Sequence, residues 1–342
     1  MSQALSLHDS PRPAPLARWV ATLLLLSALL MGLGLSVGST GFSPWFSADD
    51  AMAQILWDIR APRSAGAWLA GALLALAGAV AQGLFRNPLA DPYLLGCSAG
   101  AALGVAALLF MLGLTPATTA LALRIGMTGA AFAGAVLAVL LTLALARGVE
   151  HSLRLLLAGV IVGVVLGSGS ALLTLMNPDL LRAMQAFMLG STGFVGWNGV
   201  GVMALAFAAT LLLALGCSRT LDALTLGEAT ARSLGVRLTL VRLLLIAALS
   251  LATGAAVAQC GLIAFVGLVA PHLVRSWAPM THRSLLMLSP LAGGALLLAA
   301  DIVARWIIAP QELPVGIITA LLGGSYLLWL MHRRPQGLGS RR

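Results

Sequence analysis

The sequence contains no lysine; all 20 of its basic residues are arginine. A phosphate-binding loop of the Gly-x-x-x-x-Gly-Lys-Ser/Thr type needs the lysine ammonium to reach the phosphates. The chain cannot hold one, so any ATP-driven work falls to a second polypeptide. Schiff-base chemistry with retinal or pyridoxal phosphate needs a lysine amine and is excluded as well. Charge of either sign is scarce, at 9% of residues, where a soluble domain carries roughly a quarter. Such a chain cannot clothe a soluble enzyme, and its hydrophobicity rules out disorder. The three cysteines, Cys97, Cys217 and Cys260, form no Cys-x-x-Cys pair and lie in or near apolar segments. That pattern points to packing rather than to metal ligands or disulfides. There is no His-Glu-x-x-His stretch, and nothing else in the pattern predicts catalytic, cofactor or metal chemistry in the chain itself.

Apolar length is what the sequence has. Of 342 residues, 60% are hydrophobic, and mean hydropathy is +0.99. The 38 glycines show no Gly-X-Y period; they suit close helix packing in lipid. The prediction is an all-α, polytopic membrane protein. A bilayer core takes about 20 apolar residues per helix. Ten spans are read at 19–39, 64–84, 94–112, 125–146, 154–175, 198–217, 238–258, 262–276, 284–307 and 314–332, forming one transmembrane domain over 19–332. The first is too long for a signal-peptide core and lacks a small-x-small cleavage site, so it counts as a helix.

Ten spans place both termini, the tails 1–18 and 333–342, on one side. That side collects fifteen arginines and five acidic residues, a net +10; the other collects five arginines and six acidic residues, a net −1. The positive-inside rule puts the termini in the cytoplasm. A pI of 11.3 then reflects inside-positive topology, since the arginines are scattered between apolar stretches rather than clustered for nucleic acid.

Two spans are irregular. The eighth has about 15 residues and contains Pro271, which is too short to cross at 1.5 Å per residue. The third follows Pro92 and carries Gly96, Gly100 and Gly104. Each is the second helix of a block, 2–5 and 7–10, and the two blocks enter the membrane from opposite sides. Interrupted segments at matching places in inverted halves point to a transport pathway. On the fifth helix, Gly159, Gly163 and Gly167 repeat at i, i+4 and i+8. This face suits either plain helix packing or the wall of a wide pathway.

Residues 218–237 (SRTLDALTLGEATARSLGVR) form the most informative polar stretch. Glu228, Ala231 and Arg232 share a helical turn, and Gly235 reads as a C-cap, which predicts two short surface helices. The run from Leu226-Gly227-Glu228 to Leu234-Gly235 resembles the coupling segment of bacterial ATP-binding-cassette (ABC) importer permeases. Residues 60–63 (RAPR), 85–100 (FRNPLADPYLLGCSAG), 260–275 (CGLIAFVGLVAPHLVR) and 300–324 (ADIVARWIIAPQELPVGIITALLGG) agree with it. In this order and spacing they resemble the FecCD/BtuC-type permease family, over about residues 17–334.

That resemblance implies a BtuC-like ten-helix subunit of a type II importer for ferric siderophores, haem or cobalamin, in the bacterial cytoplasmic membrane. It implies a second permease copy, two cytoplasmic ATP-binding subunits and a periplasmic binding protein as partners. By the same resemblance, Gly227, Glu228, Ala231, Arg232, Leu234 and Gly235 couple to the ATPase. Arg60, Arg63 and Arg305 dock acidic residues of the binding protein, to which arginine offers a two-pronged fork. Ser152 and Leu153 gate the pathway, with Leu153 departing from the small polar pair of relatives. Segment 177–192 reads as a short outer helix started by Pro178 and Asp179. Its Met184, Gln185, Phe187 and Met188 replace an aromatic-rich version and argue against haem. His272 and Arg275 read as capping or interfacial contacts. The alternative, an ion-coupled secondary transporter, would need intramembrane carboxylates or histidines; only Asp301 comes near. A non-transporting scaffold has no use for the coupling segment.

Overall fold

The computed structural model describes residues 16–38, 41–43, 50–112, 121–146 and 152–333. Most of the two expected tails and the side chain of Ser152 lie outside the described residues. The chain is helical apart from a hairpin of two-residue strands, β1 (Val37–Gly38) and β2 (Gly41–Phe42), paired antiparallel.

Helix α1 is Leu16–Ser36, and α2 (Asp50–Ile55) leads through a π-helical turn, Leu56–Arg60, into α3 (Ala61–Leu84). Then come α4 (Cys97–Leu112), α5 (Leu121–Leu145) and α6 (Ser152–Met176). A short α7 (Pro178–Leu189) precedes α8 (Trp197–Gly216), α9 (Ser218–Thr225) and α10 (Glu228–Ser233). The chain ends with α11 (Leu238–Cys260), α12 (Val266–Trp277), α13 (His282–Trp306) and α14 (Val315–Arg333). Eight of these are long and apolar enough to cross a bilayer, counting α2 to α3 as one rod. With α4 and α12 they make the ten expected spans, with boundaries shifted by a few residues. The helix expected after residue 177 is α7, started by the Asn177 side chain accepting the Asp179 amide at 3.1 Å with Pro178 in the first turn.

Helix α3 is the central post, buried along nearly its whole length. Its alanines and glycines let neighbouring backbones approach, as small residues do in lipid, where no hydrophobic force drives helices together. A Cβ on Gly71 would fall 2.3 Å from the Gly293 carbonyl oxygen on α13, and one on Gly78 only 1.7 Å from that of Gly267 on α12. Pro271 has no N–H to give the Gly267 carbonyl four residues back, so that oxygen faces α3 instead. Helices α4 and α5 meet in the same way, at Gly100 against Gly134.

The irregular spans are broken at their entries. Residues Pro92–Leu95 form a 3₁₀ turn, and Gly96 at φ +79° starts α4. In the second block Gly261 at φ +70° ends α11, and an extended run reaches Phe265 at φ +68° before α12 begins. The twelve residues of α12 span about 18 Å, well short of a roughly 30 Å core. The two breaks touch: the Tyr93 hydroxyl donates to the Ile263 carbonyl at 3.1 Å, and Pro92 stands against Gly267.

Candidate functional site

Helices α9 and α10 sit at one end of the bundle. Gly227, at φ +107°, turns the chain between them in a conformation open to glycine and strained for other residues. Gly235, at φ +77°, closes α10, its amide bonding back to the Arg232 carbonyl at 3.0 Å. Leu221, Leu224 and Ala231 are buried and fasten the two helices to the bundle. Leu226 and Leu234 are 67% and 63% exposed, with Arg232 and Gly235 exposed beside them. Both leucines are held outward at the ends of short helices between the spans α8 and α11.

Polar bonds tie this pair to three spanning helices. Glu228 accepts from Arg242 of α11 at 2.6 Å and from Arg86, just beyond α3, at 3.5 Å. Asp222 accepts the His282 amide at 2.9 Å and lies 2.8 Å from that ring's Nδ1, so α9 caps the start of α13. Sequence reading placed Glu228 in the coupling segment but missed its partners and the Asp222–His282 bond. The available signal was charge scarcity: at 9% charge, each ionised group near the core calls for a partner.

At the opposite end the three arginines occupy different surroundings from those expected. Arg60, Arg63 and Arg305 are 6%, 8% and 1% exposed, and Asp301 is fully buried. Asp301 accepts from Arg63 at 3.2 Å, from Thr192 and from Arg305 one turn on. Arg63 also donates to Glu312 at 2.7 Å. Arg305 reaches the Gly34 carbonyl at 2.9 Å and Ser64 at 3.2 Å. Arg60 donates to the Leu35 carbonyl and the Ser43 hydroxyl, both at 2.9 Å. These arginines, read in the sequence as forks for a binding protein, have buried and hydrogen-bonded side chains in the structure. A guanidinium at this depth is held only if paired and hydrogen-bonded, and the network knits α1, α3, α13 and the turn after α7. Asp301 is consumed as the counter-ion of two arginines, Arg63 and Arg305.

The glycine stripe on α6 divides. Gly159 is packing: a Cβ there would lie 2.0 Å from the Leu94 carbonyl oxygen. Gly159 and Gly163 both border a recess of about 380 Å3, shared with Asp91, Gly96 and Ser98. Gly167 faces open space. Leu153, at the start of α6, is exposed. Asp91 accepts the Tyr93 amide at 2.8 Å. Burial pushes its carboxyl above the usual carboxylate range, against the pull of that bond. His272 lies 2.8 Å from the Tyr326 hydroxyl on α14.

Residues 96–100, Gly-Cys-Ser-Ala-Gly, have the Gly-x-Ser-x-Gly spacing, but they start a helix after a 3₁₀ turn. A nucleophile elbow needs a strand before the serine. Among the described residues no group of His, Cys, Asp or Glu is arranged to hold a metal.

Similar proteins fit this geometry. The hemin transport system permease HmuU of Yersinia pestis is 42% identical over 292 residues, covering 85% of this chain and 86% of that protein. The vitamin B12 import system permease BtuC of Escherichia coli O157:H7 is 42% identical over 321 residues, covering 92% and 94%. A solved inward-facing structure assigned to the metal-chelate type of ABC transporter superposes with a TM-score of 0.83 at 28% identity, covering 93% of this chain and 99% of that one. The profile of the FecCD transport family matches residues 20–333, and the chain belongs to that family.

Proposed function

We propose that this chain is the membrane-spanning subunit of an ABC importer. Two copies enclose a pathway for a metal chelate delivered by a periplasmic binding protein and driven by two separate ATP-binding subunits. The observation that carries this reading is the α9–α10 pair, which holds Leu226 and Leu234 outward while Glu228 and Asp222 tie it to α3, α11 and α13. A partner seated on that pair pulls on three spanning helices at once. Gly227, Ala231, Arg232, Leu234 and Gly235 shape the seat. Both termini and this seat lie in the cytoplasm, in line with the arginine asymmetry of the sequence.

Docking at the opposite end works through the field of the arginine network. Arg63 and Arg305 share Asp301, Arg63 also meets Glu312, and Arg60 has carbonyl and hydroxyl partners but no ion pair among the described residues. The surplus positive charge draws an acidic surface and raises its association rate. The pathway runs past Leu153, Gly163 and Gly167, with Ser152 at its inner mouth. A ferric siderophore remains the proposed cargo. Met184, Gln185, Phe187 and Met188 do not decide against haem, because the hemin and vitamin B12 permeases are equally similar to this chain.

Purification from a strain co-expressing the ATP-binding subunit tests the subunit assignment. The intact chain is expected to hold that subunit in a stable complex, and the chain alone to hydrolyse no ATP above a mock preparation. Hydrolysis by the chain alone, or failure to retain an ATP-binding subunit, contradicts it.

A further inference from the structure

A cavity of about 580 Å3 opens beside the α9–α10 seat, between the ends of α3 and α12, the end of α9 and the start of α13. Its polar lining is lopsided. Arg86, Arg275 and His282 face it, and Gln82 lies at its base. The acidic groups close by are already engaged, Glu228 with Arg86 and Arg242, and Asp222 with His282. Arg275 makes no ion pair among the described residues, and its buried Nη2 has no hydrogen-bond partner in the protein. Gln82 is 1% exposed. Its Nε2 donates to the Leu268 carbonyl at 3.2 Å, which fixes the amide's orientation and leaves the buried Oε1 without a donor. Arg275 and Gln82, each with one buried polar atom that lacks a protein partner, therefore line the same cavity. Each is costly to bury unsatisfied. The ligand that answers both carries an anion and an N–H or O–H within one small group. Met280 and Leu285 add an apolar wall.

The level in the membrane narrows the class. Trp277, two residues beyond Arg275, stacks on Trp19 near the start of α1 with ring centroids 4.7 Å apart. Paired indoles at helix ends mark the headgroup layer. We propose that this cavity binds the phosphodiester headgroup of a membrane phospholipid, with the phosphate against Arg275 and Arg86 and the headgroup's ammonium or hydroxyl donating to Gln82. Phosphatidylethanolamine and phosphatidylglycerol have both features. Phosphatidylcholine has the phosphate without the donor, and diacylglycerol has a hydroxyl donor without the phosphate. The inference rests on the importer reading only for the leaflet, which is then the inner one. A carboxylate from the ATP-binding subunit would satisfy Arg275 and leave Gln82 unanswered.

Native mass spectrometry of the full chain, delipidated in detergent and titrated with each lipid or with inorganic phosphate, tests the site. Phosphatidylethanolamine and phosphatidylglycerol are expected to bind roughly tenfold more tightly than diacylglycerol, the factor a hydrogen bond to a charged group supplies. Arg275→Gln should abolish that preference. Gln82→Leu, which keeps the volume, should make phosphatidylethanolamine bind no better than phosphatidylcholine while phosphate recognition stays. Equal binding of all four lipids, or unchanged preferences in both variants, overturns the proposal. So does displacement of the lipids by millimolar inorganic phosphate, which would make the ligand a soluble anion. Loss of lipid binding once the ATP-binding subunit is added would give the cavity to an acidic side chain of that partner and overturn it too. These outcomes do not depend on transport, so failure here leaves the importer reading standing.

Discussion

Arg242 of α11 donates to Glu228, the first residue of α10, at 2.6 Å, and so fixes the exposed seat to a helix of the bundle core. Glu228→Gln keeps the shape and removes the charge. A hydrogen bond to a charged group contributes about 1.5–3 kcal/mol net, and the partial exposure of Glu228 puts the loss at the lower end. The variant should fold and still hold the ATP-binding subunit, but should hydrolyse several times more ATP per molecule of cargo moved. An unchanged ratio would mean that the bond only trims the loop.

Gly227 supports the same seat through backbone conformation. No atom lies within 4 Å of a Cβ built there, yet its φ is +107°. Gly227→Val therefore meets strain rather than a clash, at about 1–3 kcal/mol. Uptake should fall at least about tenfold, with insertion intact. Gly201→Ala on α8, where the helix is regular and the space open, should leave uptake unchanged. Equal behaviour of the two variants in a transport assay would remove the special role of the turn.

Asp301 separates structural from transport chemistry. Asp301→Asn strips the shared counter-ion from Arg63 and Arg305, and breaking a buried pair costs about 3–5 kcal/mol. Folded yield and thermal midpoint in detergent should drop sharply. Glu312→Gln acts on a partly exposed carboxylate and should cost no more than about 1 kcal/mol. A well-folded Asp301→Asn protein that had lost ion-driven uptake would instead support a secondary transporter.

The open end of the α6 stripe tests the pathway. Gly167 has no neighbour within 4 Å of a built Cβ, so Gly167→Phe is expected to leave stability unchanged. If this face lines the route, uptake should fall at least fivefold with the ATP-binding subunits still attached. Full uptake would place the face against lipid or a second copy without a role in passage.

The long spans were legible because lipid demands about 20 apolar residues in a row, and the missing lysine excluded a phosphate-binding loop of the lysine type. The break before α4 could be read from Pro92 and Gly96, and the end of α10 from Gly235; Pro271 marked α12 as irregular but lies inside it, and the entry at Gly261 and Phe265 went unread. What escaped the sequence was pairing across distance. Arg63 and Asp301 are 238 residues apart, and no local period records which carboxylate a distant arginine will meet. The three arginines looked like surface forks because each stands at a helix end, and only the packing of α1, α3 and α13 reveals that those ends are covered. The same limit hid the shared cavity of Gln82 and Arg275, which four separate helices enclose.

The most direct measurement is cargo uptake into proteoliposomes containing this chain. Labelled ferric siderophore, hemin and cobalamin would each be offered with the binding protein and the ATP-binding subunits added or omitted. The account predicts accumulation of one of these chelates only when ATP, the ATP-binding subunits and the binding protein are all present, and none from an imposed proton or sodium gradient. Accumulation by the chain alone under such a gradient, without ATP, would contradict it.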